Sequence, residues 1–484
     1  MNKEIEQLEP KGVWKNFSKL NAVPRPSKKE ERIIEFMLNF GRSLNLETGK
    51  DEVGNVIIRK KASHGMEDRK TITLQSHLDM VHQKNSDTRF DFDKQGIEMF
   101  IDGDWVKAKG TTLGADNGMG VAAIMSLLES QDISHPPIEA LFTIDEETGM
   151  TGAKGLKGGI LKGQILLNLD TEEDDEIDIG CAGGIDITAT RSYAEQTVPA
   201  KSRAYRISVR GLHGGHSGMD IHRGFGNANK IMNRLLYKGS EEFGMGISAI
   251  EGGSLRNAIP RESFATIVLP ENVQEDFKGA FQNWAQIIKD ENAYVETKLE
   301  IILESVEIPN TIMEKAVQDK ILRAIYGAHN GVYAMSAAIP DLVETSNNIA
   351  RIEIKSGNIK ISCLTRSSVD SAKIDLASSL RSVFELAGCT VSLTGDYPGW
   401  SPNPKSEILK VLKKQYELLF KEEPKVIACH AGLECGILGR NYPDMDMISF
   451  GPTIKGAHSP DERVSISSVK KFWTFLLQIL NNTP

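Results

Sequence analysis

Apolar residues in the first 180 positions follow two rhythms. The short runs NVIIRKK, KTITLQSH, IEALFTID and GQILLNLD predict strands, whereas GMGVAAIMSLLES repeats its apolar positions at intervals of three and four and predicts a helix. Strands that alternate with helices predict an α/β fold: a largely buried mixed sheet with helices on both faces. The texture changes after DIGCAGGI, and from about residue 186 to 397 the order reads strand, helix, strand, strand, helix, strand. Within that stretch, SLRNAIPRESFATIVLPENVQEDFKGAFQNWAQI and TSNNIARIEIKSGNIKISCLTRSSVDSAKIDLASSLRSVFEL share a turn bearing asparagine, two strands and a capped helix. That repetition predicts an α+β domain built from two similar halves. DYPGWSPNP, rich in proline and glycine, then returns the chain to long helices and short apolar strands such as VIACHAGLECGIL and MDMISFGP. The expected organisation is a discontinuous domain over residues 1–185 and 398–484, interrupted by an inserted domain over 186–397.

Composition narrows the function classes. A chain of 484 residues has room for two or three domains at roughly 150 residues each. The net charge of −9 opposes a sequence-independent grip on nucleic acid, which needs a basic face to neutralise phosphates. No segment reaches the roughly 18 apolar residues of a membrane span, and MNKEIEQLEPKGVWKNF lacks the apolar centre of a signal peptide, so a cytoplasmic location is expected. Five scattered cysteines (Cys181, Cys363, Cys389, Cys429 and Cys435) argue against a disulfide framework and read as core thiols.

Candidate chemistry gathers where the apolar strands end. KTITLQSH closes on His77, and Asp79 follows two positions on; side chains two apart in extended chain share a face. A histidine satisfied at a strand end by a nearby carboxylate gives the same pattern. In LGADNGMG, Asp116 stands at the mouth of the predicted helix, where it or Asn117 could equally serve as the cap. FTIDEETGMTG ends a strand in Asp145, Glu146 and Glu147, adjacent acids that either face solvent in a turn or require cations. LLNLDTEEDDE repeats the theme with Asp170, and the acids after it read as a solvated charge run. Open α/β sheets bind ligands beyond the carboxyl ends of their strands. Carboxylates with one or two histidines, and no thiolates in these motifs, suit a pair of divalent ions such as zinc, manganese or cobalt. The second histidine is His458 in GPTIKGAHSPDERV, far along the chain from Asp170, a gap the inserted domain explains.

Taken in order, HLDMV, GADNG, DEETG, LDTEE and, after an insertion, GAHSPDE resemble the motifs of the di-zinc peptidases of the aminoacylase and carboxypeptidase type. HGGHSGMDIHRGFGNAN and CHAGLECG extend the resemblance over nearly the whole chain. The closer likeness is to the cytosolic non-specific dipeptidase branch, also called aminoacyl-histidine dipeptidase. The resemblance implies that Asp116 bridges two metal ions, with His77 and Asp170 completing one and Glu147 and His458 the other. It makes Glu146 the general base and Asp79 the partner that orients the His77 imidazole. Residue chemistry by itself leaves Glu146 and Glu147 interchangeable for the role of base. The resemblance also sets His216 on the substrate carbonyl, often from the partner subunit in such enzymes, and Asn257, Arg366 and Gly432 on the ends of the peptide. A planar guanidinium suits a terminal carboxylate because its fork can bind both oxygens. His213, His222 and His430 read as structural.

The implied reaction is hydrolysis of unblocked dipeptides, histidine-terminated ones included. Two ions roughly 3.5–4 Å apart would acidify a water and polarise the scissile carbonyl, while Glu146 takes the water's proton and hands it to the leaving amine. The chain carries no GxSxG elbow and no persuasive cysteine nucleophile, which agrees with a mechanism free of covalent intermediates. Zinc is the expected metal, with cobalt or manganese as alternatives, and the family implies a homodimer through the inserted lid domain. Rival readings keep the metals but act on N-acyl amino acids or tripeptides, or keep the site as a non-catalytic metal-dependent binding protein. A dinuclear phosphoesterase would need a phosphate cradle that does not accompany these acids.

Overall fold

In the computed structural model, which describes residues 2–484, the four apolar runs become the strands Val56–Lys60, Ile72–His77, Ile138–Thr143 and Ile165–Asn168. The chain divides into two compact units, one formed by Met1–Gly180, Trp400–Ala428 and Leu433–Pro484, the other by Cys181–Gly399 and Cys429–Gly432. Among the described residues no helix is long and apolar enough to cross a membrane.

The first unit is organised by an eight-stranded sheet. Its order is Glu47–Lys50, Val56–Lys60, Ile138–Thr143, Ile72–His77, Ile165–Asn168, Asp446–Ser449, Glu176–Cys181 and Lys425–Cys429. From Ile138–Thr143 to Asp446–Ser449 the neighbours run parallel; Val56–Lys60 and Glu176–Cys181 pair antiparallel to that centre. Every residue of Ile72–His77, Ile138–Thr143 and Ile165–Asn168 is buried, the polar Thr73, Gln75, Glu139 and Asn168 included, so the alternation in ITLQSH does not mark a solvent face. Helix Ala115–Glu129 is buried nearly all round and packs on Ile72–His77 and on helix Lys11–Asn21, so its apolar residues occupy every face. The tail strand Asp446–Ser449 enters between Ile165–Asn168 and Glu176–Cys181, so the sheet is complete only after the chain has returned from the second unit.

The second unit carries a nine-stranded antiparallel sheet. Its path is Glu300–Val306, Ser202–Arg210, Ser263–Pro270, Gly246–Gly252, Val343–Lys355, Asn358–Ser367, Gly183–Ser192 and Thr390–Tyr397, with Gly331–Met335 paired to Val343–Lys355 off that path. The path reads alike from both ends. Each half is a strand, a helix, two strands, a helix and a strand, using helices Ala228–Phe243 and Gln274–Asn292 in one half and Lys315–Gly327 and Asp370–Leu386 in the other. The halves abut where Gly246–Gly252 pairs with Val343–Lys355. Two details differ from the sequence pattern. One half takes its first strand, Gly183–Ser192, from before the other half begins, so one half is inserted into its counterpart. The asparagine turn also falls between the two strands of the first half, whereas Asn347 and Asn348 lie inside a strand of the second.

Candidate active site

Parallel strands bring their carboxyl ends to one edge of the sheet, and the candidate ligands leave from that edge. His77 ends the strand Ile72–His77 and lies opposite Thr143 in register; Glu146 and Glu147 follow Ile138–Thr143, and Asp170 follows Ile165–Asn168. Asp79 lies two residues past the last residue of the strand. The His77 Nδ1 stands 3.2 Å from the Asp79 carbonyl and 3.5 Å from its Oδ1. The same carboxylate accepts the Glu146 N–H at 3.0 Å on Oδ1 and the Glu147 N–H at 3.3 Å on Oδ2. Asp79 therefore holds both the imidazole and the turn that carries the two glutamates.

Asp116 stands between the two histidines. Its Oδ1 is 3.1 Å from His77 Nε2 and its Oδ2 is 3.2 Å from His458 Nε2. Asp170 Oδ1 comes within 3.5 Å of His77 Nε2, and Glu147 Oε2 within 3.0 Å of His458 Nε2. Two sets of converging donors result: His77, Asp116 and Asp170 in one, and Asp116, Glu147 and His458 in the other, each with ligand atoms within 4.8 Å of one another. Tetrahedral donors about 2.0–2.2 Å from a common ion stand roughly 3.3–3.6 Å apart, so this spacing fits one ion per set with Asp116 shared. The Glu147 Oε1 is buried and accepts no hydrogen bond. His77, Glu146 and Glu147 converge as a further group, which sets Glu146 beside the two sets that share Asp116 without making it a member of either.

The electrostatics match this donor set. Burial opposes charge on His77, but Asp170, Asp116 and Asp79 outweigh it and hold the imidazole well above its ordinary value. Asp116 and Glu147 push His458 up to about 11. Burial raises Asp116, yet His458 and His77 overcome it and keep its carboxylate well below the usual range. Glu146 is pushed well above the carboxylate range by burial, against His77 and with the charges of Asp170, Glu434 and Glu147. The imidazoles and carboxylates pair directly with one another, contacts that a divalent cation would replace. The acids after Asp170 are not a solvated run: burial and Asp116 push Glu172 up to about 8, Asp174 pairs with Lys471 at 2.8 Å and Asp175 with Lys425 at 2.8 Å, and Glu173 pairs with Lys455.

Neither Asp116 nor Asn117 caps the helix Ala115–Glu129. Glu462, four residues after His458 in the same motif, binds the turn that precedes the regular helix. Its Oε2 accepts the N–H groups of Leu113 (2.6 Å) and Gly114 (2.9 Å), and its Oε1 those of Ala115 (2.7 Å) and Asp116 (3.3 Å). One buried carboxylate thereby satisfies four N–H groups of the turn ahead of the regular helix, in which Asp116 and Asn117 are non-helical. Arg25, fully buried, grips the same turn by donating to the carbonyls of Gly114 (2.6 Å), Leu78 (3.0 Å) and Asp79 (3.1 Å). Gly114 adopts φ +70°, and a Cβ there would sit 2.5 Å from the Arg25 guanidinium. Sequence reading missed both residues, because a carboxylate that binds backbone from a distant loop has no local signature. Glu462→Gln leaves a single acceptor among four donors; about 2 kcal/mol of local stabilisation is expected to go, with roughly 30-fold faster amide exchange at Leu113–Asp116 by mass spectrometry.

His216, expected on the substrate carbonyl, and Asn257, Arg366 and Gly432, expected on the peptide ends, all belong to the second unit. Arg366 donates from Nη1 to Tyr397 Oη (2.8 Å) and from Nε to Ser217 Oγ (3.5 Å), and its Nη2 lies 3.4 Å from His216 Nε2. Tyr397 was not anticipated; its ring lies over Gly184, where a Cβ would come within 2.7 Å of it. Asn257 accepts the Ser217 N–H on its carbonyl at 2.8 Å, and Gly432 closes a segment whose Cys429 and Ala431 carbonyls accept the Ala182 N–H. His430 is buried with Nε2 2.8 Å from Ser346 Oγ, and the His213 ring stacks on Phe225 beside Glu296.

With this geometry in place, the comparisons with known proteins are direct. The sequence profile of peptidase family M20/M25/M40 matches residues 73–482. The chain belongs to that family. It is 43% identical to the cytosol non-specific dipeptidase of Escherichia coli K12 over 481 residues, which cover 99% of this chain and 99% of that protein. The crystal structure of aminoacylhistidine dipeptidase from Vibrio alginolyticus matches with a TM-score of 0.93 at 43% identity, covering 100% of this chain and 98% of that one. The aminopeptidase PepT of Bacillus cereus, at 15% identity and a TM-score of 0.58 over 98% of each chain, shares the fold. This member of the M20/M25/M40 peptidases thus keeps the family's architecture over its full length, with carboxylates and imidazoles gathered at the carboxyl edge of its central sheet.

Proposed function

We propose that the chain is a metal-dependent dipeptidase that hydrolyses unblocked dipeptides, including those ending in histidine. The observation that carries this reading is Asp116 presenting one oxygen to each of two histidine-bearing donor sets. His77, Asp116 and Asp170 would hold one ion, Asp116, Glu147 and His458 the other. Imidazole and carboxylate donors favour zinc, with cobalt or manganese as the alternatives. When bound, the ions supply Lewis acidity toward a water and the scissile carbonyl. Glu146, raised by burial and left outside both donor sets, takes the proton from the attacking water and returns it to the leaving amine. Asp79 fixes the ring of His77 and the turn that aims Glu146.

The second unit supplies groups for the peptide ends. His216 Nδ1 accepts the N–H groups of Gly218 (3.2 Å) and Met219 (3.0 Å), so its proton sits on Nε2. Burial and the charge of Arg366 push His216 down to about 4, which keeps the ring neutral. Arg366 is buried and makes no ion pair among the described residues, so His216 Nε2–H and the guanidinium are two adjacent donors short of an anionic oxygen. A substrate carbonyl on His216 and a terminal carboxylate on Arg366 would meet that need, with Asn257 and Gly432 adding contacts to the peptide ends. A cytoplasmic setting and a homodimer through the second unit complete the reading. Because Gly246–Gly252 and Val343–Lys355 pair with each other, a sheet-mediated dimer would use the outer strands Glu300–Val306 or Thr390–Tyr397.

The test is elemental analysis of the purified protein, coupled to hydrolysis of a panel of dipeptides, tripeptides and acylated amino acids before and after chelation. Two metal equivalents per chain are expected, with dipeptide cleavage that disappears on chelation and returns with zinc. Full activity after complete metal removal, or cleavage confined to acylated amino acids, would overturn the proposal.

A further inference from the structure

A buried row of polar side chains crosses the central sheet of the first unit and plays no part in the donor sets. It steps across neighbouring strands from Glu434 to Gln75, Asn168 and Ser449, then to Thr171 and Asp178. Gln75 Nε2 lies 2.7 Å from Glu434 Oε2, and Asn168 Nδ2 lies 2.5 Å from Gln75 Oε1. Ser449 Oγ is 2.5 Å from Asn168 Oδ1, and Thr171 Oγ1 is 2.8 Å both from Ser449 Oγ and from Asp178 Oδ2. All six side chains are less than a tenth exposed. Thr143 branches from the Glu434 end, donating to the same Oε2 at 2.5 Å.

The row can be tested by counting hydrogens. It has five links, and each needs one hydrogen. The four interior residues supply one apiece: an amide donates at one end and accepts at the other, and a hydroxyl carries a single proton. With both terminal carboxyls ionised, one link always pairs two acceptors, whichever way the amides of Gln75 and Asn168 are turned. As oriented, the missing hydrogen belongs on Asp178, running Asp178 to Thr171 to Ser449 to Asn168 to Gln75 to Glu434. Turning both amides reverses every bond and places it on Glu434 instead.

We infer that Asp178 and Glu434 share a single proton through this row, so that one of the two is a neutral acid while the other is ionised. Burial supports it from the energetic side, pushing Asp178 up to about 7 and Glu434 up to about 8. Asp178 Oδ1 and Glu434 Oε1 accept no hydrogen bond from the protein, an arrangement costly for two carboxylates and less so for one. The proton's place decides whether Glu434 is charged, and Glu434 is one of the charges acting on Glu146.

The test is infrared difference spectroscopy on the full-length chain, comparing wild type with Asp178→Asn, Glu434→Gln and the double variant. An amide at either end donates the missing hydrogen itself, so each single variant is expected to fold and to lose the same one protonated-carboxyl stretch. The double variant has one hydrogen too many for its links and is expected to unfold at least about tenfold more readily than the product of the two single effects on the unfolding constant. A protonated-carboxyl band that survives in either single variant, bands lost additively, or single effects that simply multiply in the double variant would overturn the shared proton. Because the readouts are a vibrational band and an unfolding constant, they hold whether or not the chain proves to be a dipeptidase.

Discussion

Glu146→Gln is expected to lower kcat for dipeptide hydrolysis by about 10²–10⁴-fold, the range lost when a positioned general base is removed. Metal content should stay at the wild-type level, because Glu146 belongs to neither set that shares Asp116. The backbone of residue 146 still donates to Asp79, so the turn keeps its place and the change falls on the proton acceptor alone. Gln is nearly isosteric with Glu, and in a site that raises the carboxyl this strongly it mimics the protonated acid, which cannot accept the water's proton. Steady-state kinetics beside elemental analysis separates the outcomes. Turnover near wild type would remove Glu146 from the role of base, and a loss of metal in step with activity would make it a ligand.

Asp116→Asn is expected to have the opposite signature, losing metal first and activity as a consequence. One carboxylate faces both His77 and His458, so a single substitution weakens both donor sets. An amide has no net charge and presents an NH2 to one of the two ions, and the expected loss of affinity exceeds about 100-fold, the upper end of what outer-sphere partners cost. Stability of the metal-free protein should fall, because Asp116 pairs with both His77 and His458, which hold its carboxyl well below the usual range; relief of repulsion on Glu147 and Glu172 offsets only part of that loss. Calorimetric titration of zinc into the metal-free variant, paired with thermal unfolding, checks both halves. Binding of two ions at wild-type affinity would show that Asp116 is not shared.

The candidate site was legible in part for a plain reason. A strand that ends in His77, or one followed by Glu146, Glu147 and Asp170, announces itself by placing ionisable groups against an apolar run, a costly juxtaposition unless something binds there. Asp116 was harder, because a carboxylate at a helix start is ordinarily a cap. Only the structure shows Glu462 holding the turn that carries Asp116 from a distant loop, with the Asp116 oxygens turned to His77 and His458. The acids from Glu172 to Asp175 were misread as solvated, since the lysines that pair with Glu173, Asp174 and Asp175 come from strands and helices hundreds of residues away.

Local order alone determined the element types: short runs rich in apolar residues for the parallel strands, intervals of three and four for the buried helix, and two recurring α+β patterns in the interrupting segment. Tertiary structure decided which elements became neighbours. It placed Asp446–Ser449 between Ile165–Asn168 and Glu176–Cys181, and it inserted one half of the second unit into the other. It also aligned Gln75, Asn168 and Ser449 into one row between two carboxyls. The physical reason is range: periodicity reports burial within a few residues, whereas strand order, a turn held by Glu462 from a distant loop and a shared proton depend on contacts whose partners are unrelated in chain position.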